Sequence, residues 1–346
     1  IANRKHLPSL AQQPEVEMVA FCDIIEERAA KAAAQYGGEN AKVYTDYRQL
    51  LAESDAEVVH VCTPNDSHAE ITVASLESGR HVMCEKPMAK TAEQARQMLD
   101  AAKRTGKKLT IAYQNRFRSD SLYLKEICEK GELGDIYLGK ALALRRRAVP
   151  TWGVFLDEEK QGGGPLIDIG THALDLTLWL MDNYEPKSVT GSVFHKLGSR
   201  ENAANAFGPW NPEEFKVEDS AFGFITMKNG ATIILESSWA LNIVDIGEAK
   251  TLLCGTEGGA DMTNGLRING EKLSRLYETK IDLGSGGVAF FEGKQETEAT
   301  REARAWVQAI LEDKEPLVKP EQALVVTEIL EAIYESARTG KTVYFD

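Results

Sequence analysis

No two cysteines are spaced as C-x-x-C, and the five present, Cys22, Cys62, Cys84, Cys128 and Cys254, are an odd number, so neither a disulfide framework nor a cysteine-based zinc knot is expected. Three of them, Cys22, Cys62 and Cys84, end apolar runs, where a free thiol serves as a small buried hydrophobe. Long apolar runs are also missing: none approaches the roughly 18 residues of a membrane-spanning helix, and no charged-then-apolar leader opens the chain. These absences lead us to expect a protein of the reducing cytoplasm, away from membranes. Basic charge is in deficit, with 40 Lys and Arg against 53 Asp and Glu and a net charge of −13, which argues against a nucleic-acid partner. Histidine is scarce at six, and no H-E-x-x-H pairing occurs. The chain also starts on Ile1 instead of methionine, so an N-terminal piece is expected to precede it.

What is present is ordinary globular composition, 43% hydrophobic and 27% charged, over 346 residues, enough for two domains that each bury a core without metal or disulfide. The first 115 residues alternate short apolar runs with helical stretches: Val16 to Cys22, an alanine-rich helix to Tyr36 stopped at Gly37-Gly38, a helix near Tyr47 to Glu53, Val58 to Cys62, a helix from His68 to Ser78, His81 to Cys84, a helix from Thr91 to Thr105, and Lys108 to Ala112. This alternation predicts an α/β domain with a doubly wound parallel sheet, whose ligands lie beyond the carboxyl ends of the strands. From about residue 120 the strands lengthen. Tyr137 to Arg145, Ser188 to Phe194, Ala221 to Met227 and Ala231 to Trp239, with shorter pieces around Leu252 and Leu266, predict a large, mostly antiparallel open sheet in a second α/β domain. Lys228-Asn229-Gly230 reads as a tight hairpin turn, because asparagine and glycine tolerate positive φ. Helices over Thr297 to Glu312 and Glu321 to Thr339 close the chain, the latter capped by Gly340. Boundaries are expected at 1–118, 119–318 and 319–346, the last segment packing back toward the first domain.

Asp23, at the end of the second expected strand of such a domain, stands where an acidic residue hydrogen-bonds the adenosine ribose of a dinucleotide. A carboxylate there repels a 2′-phosphate and favours NAD, with NADP kept open by nearby Arg28. Asp23-x-x-Glu26 also reads as a capping box, a role that can coexist with the first. The glycine fingerprint is not visible. A strand and G-x-G-x opening are expected before residue 1, with Ala2 as the small last position and the following residues as the helix that holds the pyrophosphate. After Val58 to Cys62, Thr63-Pro64-Asn65 makes a sharp turn at a strand's carboxyl end, with His68 opening the next helix, and Glu85-Lys86-Pro87 is a second turn of that kind.

The richest stretch is Gly162-Gly163-Gly164 followed by Asp168, His172 and Asp175, which fall at i, i+4 and i+7 on a helix that is otherwise nearly all apolar. Ionisable groups on a buried helix need partners, and burial makes their pKa values easy to tune, as acid–base chemistry requires. The competing reading is a carboxylate–histidine pair that only orders the core. A metal site on Asp168, His172 and His195 is the weaker alternative, so no metal is expected.

Taken together, Thr63-Pro64-Asn65-Asp66-Ser67-His68, Glu85-Lys86-Pro87, Tyr113-Gln114-Asn115-Arg116-Phe117 and the G-G-G-x-x-x-D-x-G-x-H-x-x-D run resemble, in order, the signature elements of the Gfo/Idh/MocA family of NAD(P)-dependent sugar and cyclitol oxidoreductases. The resemblance implies a Rossmann domain followed by an α/β domain whose open sheet forms homodimers or homotetramers. It also implies cofactor contacts at Ala2, Asp23, Thr63, Pro64, Asn65, His68, Glu85, Lys86 and Gln114, and a catalytic group that falls on Lys86, Asp168 and His172. Oxidation of a secondary alcohol needs a base for the hydroxyl proton, for which neutral His172 is the candidate. Lys86 would stabilise alkoxide charge, and Asp168 would orient the lysine or the substrate. For a polyhydroxylated ring, Trp152 offers an aromatic face and Arg147, with Arg145, a fixed donor, which would make a phosphorylated or acidic sugar plausible. Two other activities fit the same residues: an NAD-dependent glycosidase that oxidises C3 transiently, and a nucleotide-sensing regulator without chemistry.

Overall fold

The computed structural model describes residues 1–283 and 296–345. A wide π turn over Ala2–His6 leads into α1 (Leu7–Leu10), β1 (Ala20–Cys22), α2 (Glu26–Tyr36), β2 (Lys42–Tyr44), α3 (Tyr47–Glu53), β3 (Val58–Val61), α4 (His68–Glu77), β4 (His81–Cys84), α5 (Ala92–Thr105) and β5 (Leu109–Ile111). There follow α6 (Ser119–Glu129), β6 (Ile136–Leu144), α7 (Glu158–Gln161), α8 (Thr171–Met181), β7 (Pro186–Phe194), β8 (Ser220–Met227), β9 (Thr232–Ser238), β10 (Gly247–Gly255), β11 (Gly258–Asp261), β12 (Arg267–Lys272), β13 (Arg275–Lys280), α9 (Glu298–Leu311), α10 (Pro320–Thr339) and β14 (Val343–Tyr344).

Two compact units result. Ile1–Ala89, Glu93–Gln114 and Glu296–Glu321 make the first, and Lys90–Ala92, Asn115–Gln295 and Gln322–Asp346 the second. This differs from the division expected at 318/319, because α9 carries an apolar stripe that the first unit buries: Trp306 packs with Met83 and Ala112. Most of α10 stays in the second unit. Its Ile333 seats over Gly191 and Gly223, cross-strand partners on β7 and β8, where a Cβ on either glycine would lie 2.7 or 2.6 Å from the isoleucine side chain.

In the first unit every strand pairing is parallel, β1 with β2 and, in a separate ladder, β3-β4-β5. The strands are three or four residues long and Val61, Val82 and Cys84 are buried, as crossover helices on a parallel sheet require. β2, three residues with no apolar run of its own, was not legible in the sequence and exists through its register with β1. Cys22 is exposed, contrary to expectation, because side chains alternate along β1 and Phe21 takes the inward position beside Ala29 and Ala32.

The second unit is built on a nine-stranded sheet, β13-β12-β11-β10-β6-β9-β8-β7-β14, antiparallel throughout except for the parallel β6–β9 pair. The hairpin expected at Lys228-Asn229-Gly230 joins β8 to β9, with Gly230 at φ 90°. α8 is buried from Thr171 to Leu180 and lies on this sheet, its Leu176, Trp179 and Leu180 sharing a core with Leu124 of α6 and Leu253 of β10. Gly340 ends α10 at φ 69°, as a left-handed cap.

Candidate active site

Apart from Ala2, the expected cofactor residues of the first unit fall at the carboxyl ends of its strands or in the turns just beyond. Asp23 directly follows β1 and its Oδ1 accepts the N–H of Ile25 at 2.8 Å, a local turn bond. No capping box forms, since the residue that caps α2 is Ile25. Ile24, next to Asp23, is 88% exposed. A carboxylate and an apolar side chain presented together at a strand end fit a ribose and its adenine ring, so this edge suits a dinucleotide. Ala2 opens the N-terminal wide turn and is half-buried. Thr63 and Pro64 are exposed after β3, and Asn65 starts a short 3-10 turn that Ser67 ties back through its hydroxyl to Thr63 Oγ1 at 2.8 Å. Gln114 is half-buried just beyond β5.

His68 has a different place from the one expected of a cofactor ligand. Its ring is fully buried, with Nδ1 2.8 Å from the Pro87 carbonyl and Nε2 3.0 Å from that of Thr63. Burial lowers its pKa, and a neutral ring donates to one of those carbonyls at a time. His68 therefore braces the Thr63 turn against the cis Lys86–Pro87 turn.

Glu85 is likewise an internal support. Its Oε1 accepts from Lys5 Nζ at 3.0 Å and from His6 Nε2 at 2.8 Å, and its Oε2 accepts the backbone N–H of Lys86 at 3.1 Å. Lys5 also meets Glu302 of α9 at 2.9 Å, and His6 Nδ1 lies 3.0 Å from His60 Nδ1. Burial opposes charge on Glu85, but Lys5 and His6 hold its carboxyl well below the usual range. His6 is pushed up to about 10: burial works against its charge, and Cys62 and Glu85 override it. Burial and the nearby His6 and Lys5 charges push His60 down, so a neutral His60 accepts from a protonated His6. The Lys86 backbone thus rests on a closed set of buried charges. Sequence reasoning missed Lys5, His6, His60 and Glu302, whose only signal was ionisable residues at otherwise apolar helix and strand positions.

In the second unit the helical start expected around Asp168 is a π turn over Leu166–Gly170 that becomes α8 at Thr171. Wide turns of this kind recur at functional sites. Asp168 lies in this wide turn, and His172 lies on the first turn of α8. Asp168 is half-buried and its Oδ2 accepts the indole N–H of Trp239 at 3.0 Å. His172 is 9% exposed. Asp175 does not join them: it pairs with Arg116, whose Nε and Nη2 lie 2.9 and 2.6 Å from the two carboxylate oxygens, in a fully buried bridge. That bridge spends Asp175 on the core, where an unpaired carboxylate would be costly.

An aromatic series runs from Asp168 outward. Trp239 meets Phe155 at 6.3 Å between centroids, Phe155 meets Trp152 at 6.0 Å, and Trp152 meets Phe207 at 4.9 Å, all edge-on. Trp152 is 50% and Phe207 45% exposed. The arginines are engaged instead: Arg145 makes a two-bond pair with Glu248, both at 2.6 Å, and Arg147 donates to Asn242 Oδ1 at 2.5 Å and to the Arg146 carbonyl at 2.8 Å. His195 is exposed after β7, and among the described residues no group of three His, Cys, Asp or Glu side chains could hold a metal ion. No helix among them is long and apolar enough to cross a membrane.

Residues 1–113 match the family model described as oxidoreductase family, NAD-binding Rossmann fold, and residues 125–345 match the one described as oxidoreductase family, C-terminal alpha/beta domain. The chain belongs to the Gfo/Idh/MocA family and is an NAD-dependent oxidoreductase. It is similar to the D-glucoside 3-dehydrogenase of Escherichia coli K12, 37% identical over 345 residues that cover 99% of this chain and 94% of that protein. The inositol 2-dehydrogenase of Salmonella typhimurium is 32% identical over 179 residues, 51% of each chain. A crystal structure of levoglucosan dehydrogenase in complex with NADH and levoglucosan aligns with a TM-score of 0.77 at 25% identity, covering 95% of this chain and 90% of that one.

Proposed function

We propose that this enzyme oxidises a secondary alcohol of a sugar, sugar derivative or cyclitol with NAD, and that the 3-hydroxyl of a D-glucoside is the first substrate to test. The observation that carries the reading is the placement of Asp168 on the wide π turn and of His172 on the first turn of the buried helix that continues it, with Asp168 oriented by Trp239. NAD supplies the hydride acceptor when bound. Neutral His172 takes the hydroxyl proton, Lys86 stabilises the charge that develops on the same oxygen, and Asp168 orients the substrate or the lysine. Ala2, Asp23, Thr63, Pro64, Asn65 and Gln114 hold the dinucleotide, and Asp23 disfavours a 2′-phosphate.

The exposed aromatic steps at Trp152 and Phe207 suit the apolar face of a pyranose or the aglycone of a glycoside. With Arg145 and Arg147 committed to Glu248 and Asn242, a neutral sugar fits better than a phosphorylated one. The enzyme assembles as a homodimer or homotetramer through the open sheet, a reading supported by its second face, where Phe222, Phe224 and Leu142 alternate with buried neighbours and Phe224 is 52% exposed. We place the enzyme in the cytoplasm, where its five free thiols remain reduced.

Reduced cofactor is followed across a panel of D-glucosides, levoglucosan and inositols with NAD and with NADP. NADH formation on a neutral pyranoside, lowered by about a hundredfold or more in Lys86→Ala and His172→Ala with NAD affinity retained, is the expected result. Wild-type turnover in either variant removes the assigned roles, and no reduction of NAD on any polyol removes the reading.

A further inference from the structure

The triple glycine ahead of Asp168 is closely packed on one carboxylate. Glu218, two residues before β8, is 2% exposed. Its Oε2 accepts the N–H of Gly164 at 2.7 Å, and its Oε1 accepts the N–H of Leu166 at 3.0 Å and the hydroxyl of Tyr334, on α10, at 2.9 Å. The glycines make this approach sterically feasible. A Cβ at Gly163 would stand 2.0 Å from the Tyr334 hydroxyl oxygen, and one at Gly164 would stand 2.3 Å from the Glu218 carbonyl oxygen. Leu166 opens the π turn that carries Asp168, and His172 follows one turn later.

We propose that Glu218 and Tyr334 are positioning residues for this reaction, latching the glycine run and the first helical turn so that Asp168 and His172 stand in working geometry. The inference rests on the catalytic roles given above to those two side chains. It also assigns the G-G-G run a purpose: its missing side chains admit a carboxylate and a phenol into the space behind the helix. Burial pushes the Glu218 carboxyl up to about 7 while its three donors pull it back, which marks it as a desolvated acceptor whose bonds are all internal. Because a displacement of about 1 Å at a reacting group costs about a hundredfold in rate, a latch that lets the turn drift is visible in kcat before it is visible in folding.

The test compares Tyr334→Phe, Glu218→Gln and His172→Ala in the full chain, on the best substrate of the panel. Tyr334→Phe is expected to lower kcat about tenfold and Glu218→Gln about a hundredfold, with NAD affinity and KM for NAD within about twofold of wild type and the circular dichroism spectrum unchanged. With the circular dichroism spectrum unchanged, a tenfold or larger loss confined to kcat is not a loss of folded enzyme, which would show in that spectrum. If Glu218→Gln does not fold, Tyr334→Phe decides, since it removes a single donor. Wild-type kcat in Tyr334→Phe together with an inactive His172→Ala overturns the latch and leaves the catalytic reading standing. Wild-type kcat in His172→Ala removes the catalytic reading itself, whatever the other two variants do.

Discussion

Two buried glutamates support the two halves of the candidate chemistry, and they are stabilised in opposite ways. Glu85, beneath Lys86, is surrounded by cations: Lys5 and His6 keep it ionised. Glu218, beneath the Asp168 turn, accepts from neutral donors, among them two backbone N–H groups and a phenol, and burial pushes it up to about 7. Full charge compensation fixes a backbone firmly but leaves several buried charges dependent on one another. Neutral donors make a support that is simpler to remove and more responsive to pH.

The largest effect that sharpens this contrast comes from Glu85→Ala. It leaves buried His6 without a carboxylate and Lys5 with Glu302 alone, and a loss of about 3–5 kcal/mol in unfolding free energy by denaturant titration is expected. A loss under about 1 kcal/mol shows that the cluster is not coupled. The pH dependence comes next. Glu85, with its folded pKa depressed, contributes stability above its ordinary value of 4.5 that disappears as pH falls through the folded value. Glu218, with its folded pKa raised from 4.5 to about 7, binds a proton in the folded state that the unfolded chain has released. Stability from this group is full below 4.5 and falls by about 3 kcal/mol as pH rises to 7, since each tenfold difference in proton affinity between folded and unfolded chain is worth about 1.4 kcal/mol. In Glu218→Gln that decline between about pH 5 and 7 disappears while the acid-side loss from Glu85 remains; equal slopes in variant and wild type break the comparison. The smallest effect is that of Tyr334→Phe on stability, about 1 kcal/mol for one hydrogen bond, read from thermal or denaturant midpoints.

The periodic parts of the fold were legible in the sequence because local pattern decides them. The later apolar runs of the first unit, the Asn229-Gly230 hairpin and the two closing helices stand where their residues predicted, while the run expected over Val16 to Cys22 is a strand only over Ala20–Cys22. What escaped was set by pairings between distant segments. β2 has no apolar run and exists only against β1, β10 and β12 were legible only as short pieces around Leu252 and Leu266, and β11 and β13 were not legible. Asp175 shared a helical spacing with Asp168 and His172, but Arg116, a residue far away in sequence, claims it. Lys5 and Glu302 come from opposite ends of the chain, and nothing local to either announces their contact. Glu218 and Tyr334 escaped for the same reason, although the G-G-G run was visible. Consecutive glycines show that something comes close without saying what does.

Ile333 and Tyr334 are adjacent on α10, one wedged over the paired glycines of β7 and β8 and the other reaching Glu218. A bulkier or smaller wedge at buried position 333 would shift the phenol beside it, so the fit of one isoleucine into a two-glycine notch sets where the Glu218 support stands.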